Sequence, residues 1–192
     1  GEKPGEFYGY WFQDSDLAKW LEAASFSLAT HPDPKLDAEL DGIIATIAKA
    51  QQPDGYLDTF VQLTAPDKRW TNLFEWHELY IAGHFIEAGV AHFEATGKRT
   101  LLGVVGKLAD MIEKVFGLGE GQIQGYPGHE EIELALVKLA RVTGEKRYVH
   151  LAAYFINQRG ATPNYYDEEV KRLGVSAKLP IYFYKNRWAY LQ

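Results

Sequence analysis

ATGK at residues 95–98 and VTGE at residues 142–145 are two copies of one turn sequence, 47 residues apart. Each copy lies between a more apolar helical stretch and a more mixed one. A repeat of this length indicates helical hairpins that follow one another along the chain. Such hairpins either stack in a line as a solenoid or close into a ring, in which three hairpins would form half of a six-hairpin toroid. The period alone leaves both arrangements open.

Six helices are predicted around these turns, from apolar residues spaced three and four apart and from the prolines and glycines that interrupt them. Their expected ranges are about 15–30, 34–52, 72–95, 98–116, 127–142 and 145–159. The sequence shows no convincing strand pattern before Gly160, which predicts an all-α chain. Further along, residues 179–191 could form a β-hairpin around Lys185-Asn186, but we favour a loop that leads into a helix not contained in the chain.

The composition predicts a single globular domain and excludes several functional classes. One hydrophobic core is the default expectation for 192 residues. The net charge of −6 and the lack of a long Lys/Arg run argue against nucleic acid or a membrane surface as a partner. The chain has no cysteine, which excludes disulfides, thiolate zinc sites and cysteine nucleophiles within it and leaves the cellular compartment open.

The sequence shows neither a membrane span nor a secretory signal. No apolar run approaches the roughly 18–20 residues of a membrane span. Residues 1–10 lack the basic-then-apolar order of a secretory signal, and we interpret the start as a cut within a longer polypeptide. Localisation therefore stays unknown at this stage.

WHELYIAGH, residues 76–84, contains the first candidate site residues. His77 and His84 are seven residues apart on one helix face, which separates them by about 10.5 Å along the axis at ~1.5 Å per residue. That is too far for both imidazoles to bind one tetrahedral metal ion, which needs a spacing of four residues. Either histidine could face a pocket, and the alternative for each is a hydrogen-bonded histidine in a helix interface.

YPGHEEIE, residues 126–133, contains the second candidate and is expected to open the fifth helix. Its glutamates are explained by the positive end of the helix dipole. His129 is different, because a cation gains nothing at a helix N-terminus. A neutral histidine on a glycine-bearing turn suggests a hydrogen bond to a ligand, and a solvated surface histidine is the alternative.

QQPDGYLD, residues 51–58, is a polar loop after the second helix. Gln52, Asp54 and Tyr56 offer an amide, a carboxylate and a phenol, which are groups that bind sugar hydroxyls beside an aromatic surface. Asp-Gly is also common in turns for backbone reasons alone. These three residues and His84 are therefore weaker candidates than His77 and His129.

Taken together, these segments resemble glycoside hydrolase family 127 in order and spacing over about residues 7–172. The matching segments are FQDSDLAKWLEA from Phe12, AQQPDGYLDT from Ala50, HELYIAGH from His77, ATGK from Ala95, YPGHEEIELALVKL from Tyr126, and Arg159-Gly160. The resemblance implies an (α/α)6 barrel, retaining hydrolysis of β-L-arabinofuranosides or related sugars, and a zinc-bound cysteine as nucleophile. The expected fold class is thus all-α, with helical hairpins that form about half of an (α/α)6 barrel.

Members of this family present histidines to the sugar in the −1 subsite, and His77 and His129 occupy the matching motif positions. We carry over only these two, as substrate-binding residues. The resemblance implies that the glutamate acid/base, the nucleophilic cysteine and the zinc ligands, a glutamate and three cysteines, lie beyond residue 192. Residues 1–192 are therefore interpreted as a partial catalytic domain with no catalytic residue and no cofactor of its own, zinc being expected in the full-length protein.

Half a toroid would leave the apolar faces of its inner helices open to water. We therefore expect the chain to need the rest of the barrel, a homodimer partner or domain exchange, in addition to a carbohydrate substrate. Two other functions stay open: a non-catalytic carbohydrate-binding or scaffold protein, and another α/α-toroid sugar enzyme whose own histidines or acids do the chemistry.

Overall fold

The structure, a computed structural model, describes residues 6–173, and its regular elements in that range are helices. They are α1 (Asp14–Thr30), α2 (Pro34–Ala50), α3 (Thr59–Thr64), α4 (Glu78–Thr96), α5 (Thr100–Val115), α6 (Ile132–Thr143), α7 (Lys146–Arg159) and α8 (Tyr165–Leu173), with a 3-10 turn at Pro66–Lys68. The prediction of an all-α chain is confirmed for this range. None of these helices is both long and apolar enough to cross a membrane.

The helices form two layers. Helices α1, α4 and α6 lie side by side in the first layer, and α2, α5 and α7 lie side by side in the second. Each first-layer helix is followed along the chain by its second-layer partner. Residues 6–173 thus contain three consecutive hairpins, α1–α2, α4–α5 and α6–α7, with the hydrophobic core between the layers.

The repeated turn seen in the sequence joins the layers in the same way twice. Gly97 ends α4 with a φ of 72°, and Gly144 ends α6 with a φ of 78°. This left-handed conformation favours glycine, because the Cβ of any other residue would crowd its own backbone carbonyl. The threonine before each glycine donates its hydroxyl to a carbonyl four residues earlier. The predicted hairpin repeat is therefore a structural repeat as well.

Helix α4 lies at the centre of the molecule, in contact with α1, α5 and α6. Most of its residues are buried, as expected for a helix that is apolar on all sides. Two glycines allow its neighbours to come close: a Cβ on Gly89 would lie 2.6 Å from a methyl group of Val105 in α5. A Cβ on Gly83 would lie 2.6 Å from the Cγ of Glu131, at the start of α6.

The predicted start of the third helix, near residue 72, is wrong, because α4 begins at Glu78. Residues 72–77 form turns instead. The backbone N–H groups just before and within this stretch donate to buried carboxylates rather than to helical carbonyls: that of Trp70 to Glu78, and those of Leu73 and Phe74 to Glu169.

The predicted start of the fifth helix, near residue 127, is also wrong, because α6 begins at Ile132. The carbonyl of Pro127 accepts hydrogen bonds from Arg159 in α7 and Tyr166 in α8. These long-range bonds hold the backbone at Pro127 outside the helix. His129 therefore lies in the turn that precedes α6, not in the first helical turn.

Two short helices, α3 and α8, were not predicted. Each is too short to show a clear apolar period. Asp58 caps α3 by accepting a hydrogen bond from the Val61 N–H at 2.8 Å. The two interpretations of residues 179–191, a β-hairpin or a loop, fall outside the described residues.

Candidate functional site

Two turns from separate hairpins bring His77 and His129 together. His77 immediately precedes α4 and has a left-handed backbone, with φ 61° and ψ 16°. His129 lies in the turn before α6. Their Nε2 atoms are 3.0 Å apart, and their ring centres are 4.8 Å apart. The two strongest candidates from the sequence thus form one histidine pair.

The histidine pair lines an open cavity of about 420 Å³ together with Phe12, Tyr80 and Glu130. The ring of Phe12 lies 5.4 Å from that of His77. The ring of Tyr80 lies 5.5 Å from that of His77 and 5.3 Å from that of His129. The cavity therefore combines polar ring nitrogens with aromatic walls, which suits a ligand with both hydroxyl groups and apolar faces.

The other ring nitrogen of His77 is held by the protein. In one tautomer Nδ1 donates to the backbone carbonyl of Glu75, and in the other it accepts from the indole N–H of Trp11, whose nitrogen is 3.2 Å away. This fixes the ring plane and leaves Nε2 directed towards His129 and the cavity. Trp11, Phe12 and Tyr80 were not predicted as site residues. Phe12 and Tyr80 lie in segments that carried the family resemblance, which was the available signal.

Both histidines of the pair are neutral near pH 7. Burial lowers the pKa of His77 to about 4, and it also lowers the pKa of His129. A neutral imidazole has one donor and one acceptor nitrogen, so in the Nε2–Nε2 contact one ring donates and the other accepts. A hydroxyl group, which can do both, is able to take the place of either ring in this contact.

His84 is located two turns along α4 from His77 and is not part of the cavity wall. Its ring packs edge-on against Tyr80, with centres 4.5 Å apart. Its Nδ1 lies 3.2 Å from Glu131 and 4.0 Å from Glu87. Burial lowers the pKa of His84 to about 4.

The three loop candidates lie elsewhere. The backbone of Gln52 closes a turn with Tyr56, the carboxylate of Asp54 pairs with Arg69 at 2.6 Å, and Tyr56 is fully buried. None of the three lines the cavity around the histidine pair. The contacts of these three residues stabilise the loop and its packing.

The hydroxyl of Tyr56 donates to Glu78, a buried carboxylate next to His77 that sequence reasoning missed. The same carboxylate accepts from the backbone N–H of Trp70. Burial raises the pKa of Glu78 to about 7. The network fixes the chain on both sides of the turn that presents His77, so Glu78 positions the histidine without facing the cavity.

The zinc implied by the family resemblance does not fit the residues present. Its ligand set includes three cysteines, and the 192 residues contain none.

Comparisons with known proteins identify relatives of this chain. The family model described as β-L-arabinofuranosidase, GH127 catalytic domain, matches residues 2–179. A curated relative, the non-reducing end β-L-arabinofuranosidase of Bifidobacterium longum subsp. longum, is 48% identical over 177 residues, which cover 90% of this chain and 27% of that protein.

Solved structures give the same assignment. A GH127 β-L-arabinofuranosidase from Geobacillus stearothermophilus T6 matches with a TM-score of 0.89 and 56% identity over 92% of this chain and 28% of that one. A GH127 β-arabinofuranosidase matches with a TM-score of 0.79 and 40% identity over 84% of this chain and 27% of that one. The chain thus spans about a quarter of the length of these relatives, and its helices are consistent with part of an all-α barrel. The chain belongs to the GH127 family of β-L-arabinofuranosidase catalytic domains.

Proposed function

We propose that this chain forms part of the sugar-binding wall of a glycoside hydrolase of the β-L-arabinofuranosidase type. In this proposal His77 and His129 hydrogen-bond the hydroxyl groups of the terminal sugar. The observation that carries it is the neutral histidine pair, with Nε2 atoms 3.0 Å apart, in the wall of a cavity. The names of the relatives support the choice of sugar.

The chemistry of the cavity also supports a neutral, hydroxyl-bearing ligand. A neutral imidazole carries no charge to attract an ionic ligand, and it forms good hydrogen bonds with groups that both donate and accept. The rings of Phe12 and Tyr80 provide apolar surface beside them. A furanose, with hydroxyls at its edge and C–H groups on its faces, has this combination.

Hydrolysis needs an acid/base group and a nucleophile in addition to a binding wall. The proposal assigns binding alone to residues 1–192 and places these two groups, with the zinc, in the remainder of the full-length enzyme. It follows that the isolated chain should show no turnover.

The test is an assay of the complete protein that carries this chain, on an aryl β-L-arabinofuranoside. We expect hydrolysis, and we expect His77→Ala and His129→Ala each to lower kcat/KM by about 100-fold, as for the loss of a hydrogen-bonding group that acts on the reacting sugar. The control is His150→Ala, because His150 is exposed on α7. Absence of any turnover would contradict the proposal and favour a binding or scaffold protein. Turnover by the 192-residue chain that His129→Ala abolishes would favour another sugar enzyme.

A further inference from the structure

A second polar cluster lies between α4 and the start of α6. It consists of His84 and Glu87, one turn apart on α4, and Glu131, which immediately precedes α6. One potential ligand atom from each residue lies within 4.8 Å of the others. Nδ1 of His84 is 3.2 Å from Oε1 of Glu131 and 4.0 Å from Oε2 of Glu87.

The cluster is buried but its hydrogen bonding is incomplete. The side chains of His84, Glu87 and Glu131 are only 11%, 8% and 14% exposed. Both ring nitrogens of His84 and Oε1 of Glu131 are shielded from solvent and have no hydrogen-bond partner within the described part of the chain. Buried polar atoms are almost always paired with protein, water or an ion. Nδ1 of His84 faces Oε1 of Glu131, and the side chains of Glu131 and Glu87 are hydrogen-bonded to each other, so an ion bound to Nδ1 would lie beside both carboxyl groups.

Several charged groups act on the cluster. Lys138 donates to Oε1 of Glu87, which leaves Oε2 facing His84. The carboxylate of Glu22 adds a further negative charge close to Glu87 and Glu131. Two ammonium groups also act on the cluster, that of Lys138 on Glu87 and that of Lys19 on His84.

We propose that His84, Glu87 and Glu131 bind a divalent transition-metal ion of the Zn²⁺ or Mn²⁺ type. A neutral imidazole and two carboxylates form a ligand set that these metals accept, with solvent completing the coordination. Ligands at roughly 2.0–2.2 Å from a metal lie about 3.0–3.5 Å from one another. The 3.2 Å distance between His84 and Glu131 already meets this spacing. The 4.0 Å distance between His84 and Glu87 would have to shorten by a small side-chain rotation.

A metal ion at this position would join two of the three first-layer helices. It would connect α4 to the residue that opens α6, two residues after His129. Tyr80, which lines the sugar cavity, packs on the ring of His84. The ion would therefore hold the two halves of the candidate sugar site at a fixed separation, and its role would be to position them.

The test is titration of the 192-residue chain with Zn²⁺ by calorimetry at pH 7.5, and with Co²⁺ followed by visible absorption. The absence of cysteine removes thiolate sites from the background. We expect one saturable ion per chain, a higher Tm in its presence, and at least about tenfold weaker binding in His84→Gln and in Glu131→Gln. Glu131→Gln should not lower the Tm of the metal-free protein, because glutamine has nearly the same shape as the protonated glutamic acid and carries no charge.

Three matched variants separate this site from other histidines. His150→Ala removes an exposed histidine, and His77→Ala removes one ring of the pair in the cavity. His92→Ala tests a buried histidine beside Asp37 and Asp41, whose carboxylates already hold Lys98 at 2.6 and 2.7 Å. All three should bind Zn²⁺ as the unaltered chain does. No saturable binding by the unaltered chain, unchanged affinity in Glu131→Gln, or loss of binding in His77→Ala or His92→Ala would each overturn the proposal.

Discussion

Helix α4 carries two buried acidic clusters that differ in how well their hydrogen bonds are satisfied. At its first residue, the carboxylate of Glu78 is 2% exposed and accepts from the hydroxyl of Tyr56 and the backbone of Trp70. Further along, Glu87 and Glu131 surround His84, and both nitrogens of that ring are unpaired within the described residues. The first cluster is closed by the protein itself, and the second is open.

This difference separates a structural role from a ligand-binding role. A buried polar network in which each member is paired makes a loop rigid, whereas an unpaired buried group is costly and persists only for a reason. The closed cluster stabilises the turn that presents His77. The open cluster lies where an additional cation would complete it.

The largest effect is expected from breaking the closed cluster with Glu78→Ala. Tyr56 and Trp70 would each keep a buried donor without an acceptor, which should lower the free energy of unfolding by about 2–4 kcal/mol. Urea denaturation measures this. The control on the same helix is Glu94→Ala, whose partly exposed ion pair with Arg141 should contribute less than about 1 kcal/mol. Equal losses in the two variants would show that Glu78 is not a structural anchor.

A smaller effect is expected from separating the two halves of the open cluster with Gly83→Ala. The added Cβ would meet the backbone nitrogen of Ile132 at 2.9 Å and the Cγ of Glu131 at 2.6 Å, so α4 and α6 must move apart. We expect a loss of about 1–3 kcal/mol in urea denaturation and weaker Zn²⁺ binding. The control is Gly103→Ala in α5, where a Cβ has open space and should stabilise the helix by roughly 0.5–1 kcal/mol. If Gly83→Ala and Gly103→Ala changed the free energy of unfolding in the same direction, the close approach of α4 and α6 at Gly83 would be contradicted.

Asp58 is a second buried carboxyl group, beside the closed cluster, and it makes stability depend on pH. Burial, with Glu78 and Asp14 close by, raises the pKa of Asp58 to about 8. The folded protein therefore holds a proton that the unfolded chain releases near pH 4, so the contribution to stability is present below that pH and is lost as pH rises towards 8. The free energy of unfolding should fall by at most about 1.4 kcal/mol per pH unit because of this group.

Asp58→Asn should flatten this dependence between pH 4 and pH 8, because the amide keeps the oxygen that caps α3 but does not titrate. Urea midpoints across this range measure the effect. Asp33→Asn, at the exposed N-terminus of α2, provides the control with a similar capping role. A slope that Asp58→Asn leaves unchanged would assign the pH dependence to other carboxyl groups.

Local sequence information predicted the parts of the fold that depend on local bonds. The hairpins follow from apolar spacing and from glycines that need left-handed backbone at residues 97 and 144. The starts of α4 and α6 were missed, because they are set by groups far along the chain. Glu169 holds the backbone of Leu73 across 96 residues, and no periodicity records that contact.

The same limit applies to the candidate site. His77 and His129 were found because motifs mark them, although the sequence alone could not show that their rings meet. Glu131 was attributed to the helix dipole, yet its side chain lies buried against His84 at 3.2 Å. Packing between α4 and α6 decides where the side chain of Glu131 points. The spacing of residues in the sequence does not show this packing.

The smallest effect is expected where neither cluster is touched, at Trp11. Trp11→Phe keeps an aromatic ring but removes the indole N–H that lies 3.2 Å from Nδ1 of His77. One hydrogen bond of about 1 kcal/mol corresponds to a roughly fivefold lower kcat/KM on an aryl β-L-arabinofuranoside in the complete protein, with no change in urea midpoint. Trp20→Phe, on an exposed part of α1, should change neither quantity. A loss of stability in Trp11→Phe would mean that this indole belongs to the structural network around Glu78, and the division between the closed cluster and the sugar cavity would then have to be redrawn.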